Sequence, residues 1–363
     1  MFDDAARIER LTVPDGRRLL VVSDIHGNLP YFRGVLERAG FSDADELIVD
    51  GDFLEKGEDS LGTLRFLMAL CRRGNTHALL GNCDGWSDIF RSDRGDEQIL
   101  QYVLRRKSGL LWDMLNAAGL DPFELASFTA CKRQLFERFR EEWAFLARLP
   151  HAIETPHYIF AHAAVIPGKP LSAHTQDELT RCDAFMRLPH RFDKWVIVGH
   201  YPVVLYGGDH VCANPVIDRE SRVVSIDGGC VLKDDGQLNA LIIPFEGSED
   251  FRHVAYDPFP VMTVLEEQEP SARSYYIRWG DNRVQVLRRG EEFSLCRHVR
   301  TGYEMEILTK YLFTDDAFTD CNDCTDDVLA LRPGDKVSVV ETTSRGCFVK
   351  HEGRSGWYFG ALS

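Results

Sequence analysis

A chain of 363 residues with 44% hydrophobic content can bury a sizeable core, and its length points to more than one domain. Its 42 basic residues face 57 acidic ones, and the resulting net charge of −15 argues against nucleic acid or any other polyanion as a partner. The opening MFDDAARIER lacks the basic and apolar parts of a secretory signal, and no apolar run approaches the ~20 residues that span a bilayer, so a cytoplasmic protein without membrane contact is expected.

In chain order, RLLVVSD reads as a buried strand, NLPYFRGVLERAG as a helix closed by Gly40, and DELIVDGD as a second strand. SLGTLRFLMALCRRG follows as a helix closed by Gly74, and HALLGNCD as a third strand. Strands alternating with helices predict crossover units and a largely parallel sheet, with chemistry in the loops at the carboxyl ends of the strands. Residues 87–148 keep a helical period without a strand signal, as in DEQILQYVLRRKSGLLWDMLNAAG, and read as a helical insertion. Strands resume at HYIFAHAAV, KWVIVGHYPVV and SRVVSIDGGC, and LNALIIPF closes the sheet.

From about residue 270 the pattern changes to short β-like runs separated by glycine turns. FTDDAFTDCNDCTDD holds six aspartates and the single CxxC spacing, Cys321 and Cys324. With no second pair to complete a four-thiolate zinc site, it reads as a solvated acidic loop. The other cysteines are scattered, several in apolar segments as Cys71 and Cys131 are, which suits reduced thiols.

Five of the predicted strands end in chemistry: Asp24 with His26, then Asp52, Asn82, His162 and His200. All are oxygen or imidazole donors suited to Mn²⁺, Fe or Zn²⁺. Asp24 and His26 are two apart, so in an extended segment they point to one side, and Asp52 has two oxygens with which to bridge. Two ions at the ~3.5 to 4 Å separation typical of binuclear hydrolytic sites would divide the donors. Asp24, His26 and Asp52 would hold the first, and Asp52, Asn82, His162 and His200 the second. Helix capping alone would account for the aspartates but for neither histidine. His151, His157, His174, His190 and His210 match no such pattern and read as surface or structural.

In this order, SDIHGN, GDFLEKG, GNCD, FAHAAV and VGHYPV resemble the calcineurin-like metallophosphoesterase superfamily over about residues 20–245. SIDGGCVLKDDGQLNALIIP further resembles its phosphoprotein phosphatase branch, which includes Ser/Thr phosphatases and symmetrical dinucleoside tetraphosphatases. Pro202 agrees, because many phosphodiesterase branches carry a histidine there. The resemblance implies an α/β fold, an α/β/β/α sandwich of two mixed sheets, in a catalytic domain over residues 1–265 with the insertion at about 87–148. A β-rich connecting segment over 266–306 and a small all-β SH3-like domain over 307–363 would follow. The last rests on the ending GRSGWYFGALS, which resembles bacterial SH3-like domains; such a tail is expected to bind a peptide or to pack on the catalytic domain.

The resemblance also implies two divalent metal ions, manganese first and iron or zinc as alternatives, and hydrolysis of phosphomonoesters by hydroxide held between them. A phosphorylated protein is the expected substrate. A dinucleoside polyphosphate, another nucleotide or a phosphodiester is the alternative, and a catalytically weak scaffold comes last. In the branch, a histidine follows the GN pair and is held, as proton donor, by a carboxylate three residues after the bridging aspartate. Here those positions are Cys83 and Glu55, which makes Asp52, Glu55 and Cys83 the expected catalytic group. A thiol is poorly suited to donate that proton, so poor leaving groups would suffer most. Lys56 stands where the family pattern has an arginine that grips phosphate, and Arg181, Arg187 or Arg191 would share that task, with Asn28 as a further substrate contact.

Overall fold

The computed structural model describes residues 5–87, 95–208, 210–315 and 318–363, and these divide into two compact units. The first comprises residues 5–202, 215–232 and 236–256 and the second residues 203–214, 233–235 and 257–363, each within those described ranges.

The first unit is built on two mixed sheets. In chain order its elements begin with β1 (Ile8–Arg10), β2 (Arg18–Val22), α1 (Leu29–Ala39), β3 (Asp45–Asp50), α2 (Ser60–Cys71) and β4 (Thr76–Leu79). Four helices follow, α3 (Asp96–Arg106), α4 (Leu110–Ala118), α5 (Phe128–Arg138) and α6 (Arg140–Arg148), which realise the helical insertion. Then come β5 (Ala152–Glu154), β6 (Tyr158–Ala161), α7 (Gln176–Thr180) and β7 (Trp195–Val198). After β8 (Val211–Cys212), which belongs to the second unit, β9 (Val216–Asp218), β10 (Val223–Ser225), β11 (Leu238–Ile243) and β12 (Arg252–Tyr256) complete it.

One sheet runs β12-β11-β2-β3-β4 and the other β1-β5-β6-β7-β10-β9. The strands β2, β3 and β4 are parallel as the crossover pattern requires, whereas β11 joins antiparallel to β2. Alternation along β2 shows how the layers form. Leu19 and Val21 enter a core shared with Ile48, Phe160, Ile197 and Val224, between the sheets. Leu20 and Val22 enter a second core with Phe32, Leu64, Met114 and Trp143 from the covering helices. A third core, with Leu179 and Phe185, covers the far face of the β6–β7 sheet. The result is the expected four-layered sandwich.

Helix ends follow local chemistry. Gly40 closes α1 with φ 61°, its N–H reaching Glu37 O, as expected. The second helix stops at Cys71, earlier than its sequence pattern suggested, and Gly74 serves the turn beyond it. Among the described residues no helix is long and apolar enough to cross a membrane.

In the second unit every pairing between named strands is antiparallel. One sheet is formed by Val261–Thr263, Lys336–Thr342, Cys347–His351, Arg354–Tyr358 and β8. Another contains Arg283–Arg288, Phe293–His298, Glu304–Leu308, Leu312–Asp315 and Phe318–Cys321. The expected division at residues 306 and 307 falls inside the strand Glu304–Leu308. Over residues 318–327 the aspartate-rich segment is not a solvated loop: it includes the strands Phe318–Cys321 and Cys324–Thr325. Asp327 and Cys321 are buried, Asp323 accepts from Tyr276 Oη at 2.9 Å and Trp279 N at 2.7 Å, and Asp326 accepts from Tyr303 Oη at 2.7 Å. Asp323 and Asp326 find donors that are distant in the chain, which a linear run of aspartates does not reveal.

Candidate metal centre

The six donors chosen from the sequence lie just beyond the carboxyl ends of β2, β3, β4, β6 and β7 and come together. Asp24, His26, Asp52 and His162 are each at most 1% exposed, and Asn82 and His200 are half-buried. Asp52 divides its carboxylate: Oδ1 lies 3.3 Å from His162 Nε2 and Oδ2 lies 3.9 Å from His26 Nε2. On one side Asp24 Oδ1 stands 3.7 Å from His26 Nε2. On the other, Asn82 Oδ1 is 3.2 Å from His162 Nε2, and the His162 and His200 rings meet edge to face with centroids 5.2 Å apart. Donor atoms of Asp52, His162 and His200 all lie within 4.8 Å of one another, as do those of His26, Asp52 and Cys83.

The backbone here is strained. Asp24, His26, Asp52, Glu55, Lys56 and His200 account for six of the eleven non-glycine residues with positive φ among the described residues. Such conformations persist only where surroundings enforce them, and they concentrate at functional sites. Gly81 shows the enforcement: a Cβ there would collide with the Asp52 carboxylate and backbone.

A second layer fixes the ring orientations. His162 Nδ1 faces the carbonyl of Asp50 at 3.0 Å, and His26 Nδ1 that of Leu54 at 3.3 Å, leaving both Nε2 atoms to the centre. Cys83 N donates to Asp52 Oδ1 at 2.8 Å, and His200 N to Asp24 Oδ2 at 2.9 Å. Asp84, fully buried, accepts from Gly81 N and Leu54 N at 2.9 and 3.0 Å and so ties two ligand loops together.

The electrostatics fit divalent cations. Asp24 is pushed up by burial and then by Asp227, another buried carboxylate, and Asp24 Oδ1 accepts no hydrogen bond. Burial opposes charge on Asp52, yet His162, His26 and Lys56 hold it well below the usual carboxylate range. Burial drives His26 down to about 3 and His200 down to about 4, so both imidazoles are neutral and offer lone pairs. Burial opposes charge on His162 as well, yet Asp52 and Asp24 raise it well above its ordinary value, so one protonated imidazole offsets these packed carboxylates where a bound cation would otherwise do so.

The remaining sequence candidates are placed as follows. The buried Glu55 carboxylate accepts from Tyr102 Oη and Leu110 N, each at 2.9 Å, and from the Trp86 side chain, while the Cys83 thiol turns to Asp52 and is pushed up by burial and by that carboxylate. Glu55 thus holds the insertion rather than a proton donor at position 83. Lys56 Nζ lies 3.3 Å from His26 Nε2. Asn28 precedes α1 without capping it through its side chain, which leaves the amide free of that duty. Arg181 pairs with Asp177 at 3.3 Å, and Arg187 and Arg191 are exposed. Of the five unmatched histidines, His151, His157, His174 and His210 have ordinary polar partners, as His151 with Arg7 N at 2.9 Å, while His190 stacks on Phe185 and neither of its ring nitrogens is hydrogen-bonded.

Sequence reasoning missed three carboxylates. Asp183 Oδ1 reaches 3.5 Å from His200 Nε2, Asp84 is the clamp described above, and Asp227 lies within electrostatic reach of Asp24 and Asp52. Asp84 and Asp227 stand inside the quoted stretches GNCD and SIDGG, so their motif membership was the available signal.

A family model for calcineurin-like phosphoesterases matches residues 17–220, more than half of the chain. The chain belongs to the calcineurin-like phosphoesterase family. A symmetrical bis(5'-nucleosyl)-tetraphosphatase from Glaesserella parasuis serovar 5 is 42% identical over 65 residues, which cover 18% of this chain and 23% of that protein. The protein of the same name from Pseudomonas putida is 29% identical over 178 residues, 46% of this chain and 51% of the relative. The chain thus spans about a quarter of the length of one of these curated relatives and about half of the other. A solved protein serine/threonine phosphatase from Saccharomyces cerevisiae aligns over 70% of this chain and 84% of its own, with 10% identity and a TM-score of 0.41.

Proposed function

We propose that this calcineurin-like phosphoesterase is a metal-dependent hydrolase of phosphoanhydrides, with a dinucleoside polyphosphate such as diadenosine tetraphosphate as its substrate. The observation that carries the reaction class is the divided Asp52 carboxylate, one oxygen toward His162 and the other toward His26, with further donors behind each. Asp24, His26 and Asp52 would hold one divalent ion, and Asp52, Asn82, His162 and His200 the other. Bound there, the two ions would neutralise phosphoryl oxygens and acidify water for in-line attack.

The chain's own groups supply the rest. The carbonyls of Asp50 and Leu54 fix the tautomers of His162 and His26. Lys56, half-exposed, offers an ammonium to a phosphate oxygen, and Asn28 an amide. The substrate class is supported by the names of both curated relatives and by the residues beside the centre. Cys83 is ill suited to protonate an alkoxide, and Glu55 is engaged elsewhere. A polyphosphate leaving group departs as a stable anion and needs no such proton. The phosphoprotein reading, first from sequence, therefore comes second, since a serine alkoxide is the leaving group most dependent on a donor. The SH3-like character of the tail, with its antiparallel strands and Trp357-Tyr358 ending, belongs to the same proposal.

The test is a manganese-loaded substrate panel: diadenosine tetraphosphate, a phosphoserine peptide, 4-nitrophenyl phosphate and bis(4-nitrophenyl) phosphate. Fastest turnover of the dinucleotide is expected. Fastest turnover of the peptide would overturn the substrate assignment, and no turnover of any would overturn the reaction class.

A further inference from the structure

We propose that Trp86 and Tyr102, both fastened to Glu55, form an aromatic wall beside the metal centre that stacks a nucleobase of the substrate; this rests on the nucleotide reading above. The two rings lie with centroids 5.7 Å apart and planes inclined by 46°, and both remain partly exposed. They come from different elements. Trp86 is four residues beyond Asn82 on the GNCDGW loop, and Tyr102 is on α3 of the insertion.

The buried Glu55 joins them. It follows Asp52 by three residues, sits at φ 67°, and receives the phenol of Tyr102, the side chain of Trp86 and the amide of Leu110. Gly109 makes room for it, since a Cβ at that position would strike the carboxylate. A rigid chain of contacts therefore runs from Asp52 through Glu55 to both rings, so their position is set relative to the ligands. Cys83, which lines the His26 and Asp52 side of the centre, is within electrostatic reach of Tyr102. The Arg106 guanidinium lies 5.8 Å from the Tyr102 centroid on the same helix, adding a cation at the aromatic rim.

One side of both rings packs on the helical core of the first unit, as in an ordinary contact between a loop and a helix. What such a contact does not require is a shared buried carboxylate, Glu55, three residues beyond Asp52. A planar base offers a π face whatever its identity, so such a wall selects nucleotides as a class without reading the base. Glu55 is then a positioning residue.

The experiment compares manganese-loaded wild type, Trp86→Ala, Trp86→Phe and Glu55→Gln on diadenosine tetraphosphate and inorganic tripolyphosphate, which shares the anhydride but has no base. For Trp86→Ala the preference for the dinucleotide over tripolyphosphate should fall by ~10-fold, mainly through KM, with Trp86→Phe restoring most of it. Glu55→Gln should move the same ratio in the same direction by less. A second measurement avoids dependence on folding of the alanine variant: ADP should quench part of the wild-type tryptophan fluorescence, and that part should be absent in Trp86→Phe. An unchanged substrate ratio together with no Trp86-dependent quenching overturns the wall while leaving the nucleotide reading intact. If the dinucleotide is not cleaved, the nucleotide reading fails, and the quenching arm still judges the wall. Quenching by 4-nitrophenyl phosphate and not by ADP would overturn the nucleobase assignment in favour of an aryl ester.

Discussion

Two regions of this chain look alike on paper and behave differently in space. The strand ends around Asp24, Asp52 and Asn82, and the segment Cys321–Asp327, each gather acidic groups with a histidine or cysteine nearby. At the strand ends, Asp24 Oδ1 is buried without a hydrogen bond and carboxylates crowd one another. In the second unit, Asp327 is bound by Arg354 at 2.7 Å and His210 at 3.0 Å, and Asp323 and Asp326 accept from N–H and O–H donors. Cys321 and Cys324 approach to 3.9 Å, yet among the described residues three-donor groups occur only at the strand ends. What separates the candidate metal centre from the acidic segment is a buried carboxylate oxygen, Asp24 Oδ1, that no protein donor reaches.

The sharpest way to break that contrast is a matched pair of substitutions. Asp52→Asn should lower kcat by ~10³-fold or more and reduce bound metal, because one oxygen toward each half is what couples the ions. Asp323→Asn should leave metal content unchanged by plasma mass spectrometry. Equal metal loss in both variants would mean that the second region also binds ions.

Asp327 probes the opposite property, a carboxylate whose work is structural. It is 1% exposed, while Arg354 and His210 are partly open to solvent, so the ion pair is screened on one side only. Asp327→Ala should destabilise the chain by about 2 kcal/mol in denaturant unfolding, below the cost of severing a fully buried pair, with metal content retained. A change below about 0.5 kcal/mol would show that those partners contribute little.

How much of this contrast the sequence carried depends on the range of each interaction. The convergence of Asp24, His26, Asp52, Asn82, His162 and His200 was legible because each follows an apolar run, and the fold gathers the ends of such strands. The hydrogen bonds of Glu55 were not legible because its partners, Tyr102 and Leu110, lie 47 and 55 residues away in the insertion, where helical periodicity says nothing about which side chain will meet a loop. The aspartate-rich segment failed for a related reason. Period-two alternation can suggest strands there, but Tyr276 and Tyr303, which donate to Asp323 and Asp326, lie 47 and 23 residues away in the chain.

Lys56 sharpens the comparison within the metal centre. Its ammonium is 3.3 Å from His26 Nε2, and that nitrogen has a single lone pair, so Lys56 and a metal ion compete for it in this arrangement. Lys56→Met should strengthen binding of the ion at the Asp24 and His26 side by ~10-fold in calorimetric titration, leaving the His162 side nearly unaffected. Uniform strengthening at both sites would instead indicate a general field effect.

The smallest expected effect concerns a histidine in the first unit whose charged form is favoured by carboxylates. His77 Nδ1 lies 2.9 Å from Glu9 and Nε2 lies 3.4 Å from Glu46. Burial lowers its affinity for a proton, but the two glutamates outweigh burial and raise its pKa above 6.5. A histidine raised in the folded state stabilises the fold fully below its unfolded pKa, and the contribution disappears as pH climbs through the folded value. His77→Gln should therefore cost about 1 kcal/mol or less near pH 6 and approach no cost near pH 9. Comparing variant with wild type at each pH removes groups of opposite sign such as His151, which burial lowers to about 4. A cost that grew with pH would mean that His77 is held neutral and that the two glutamates do not govern it.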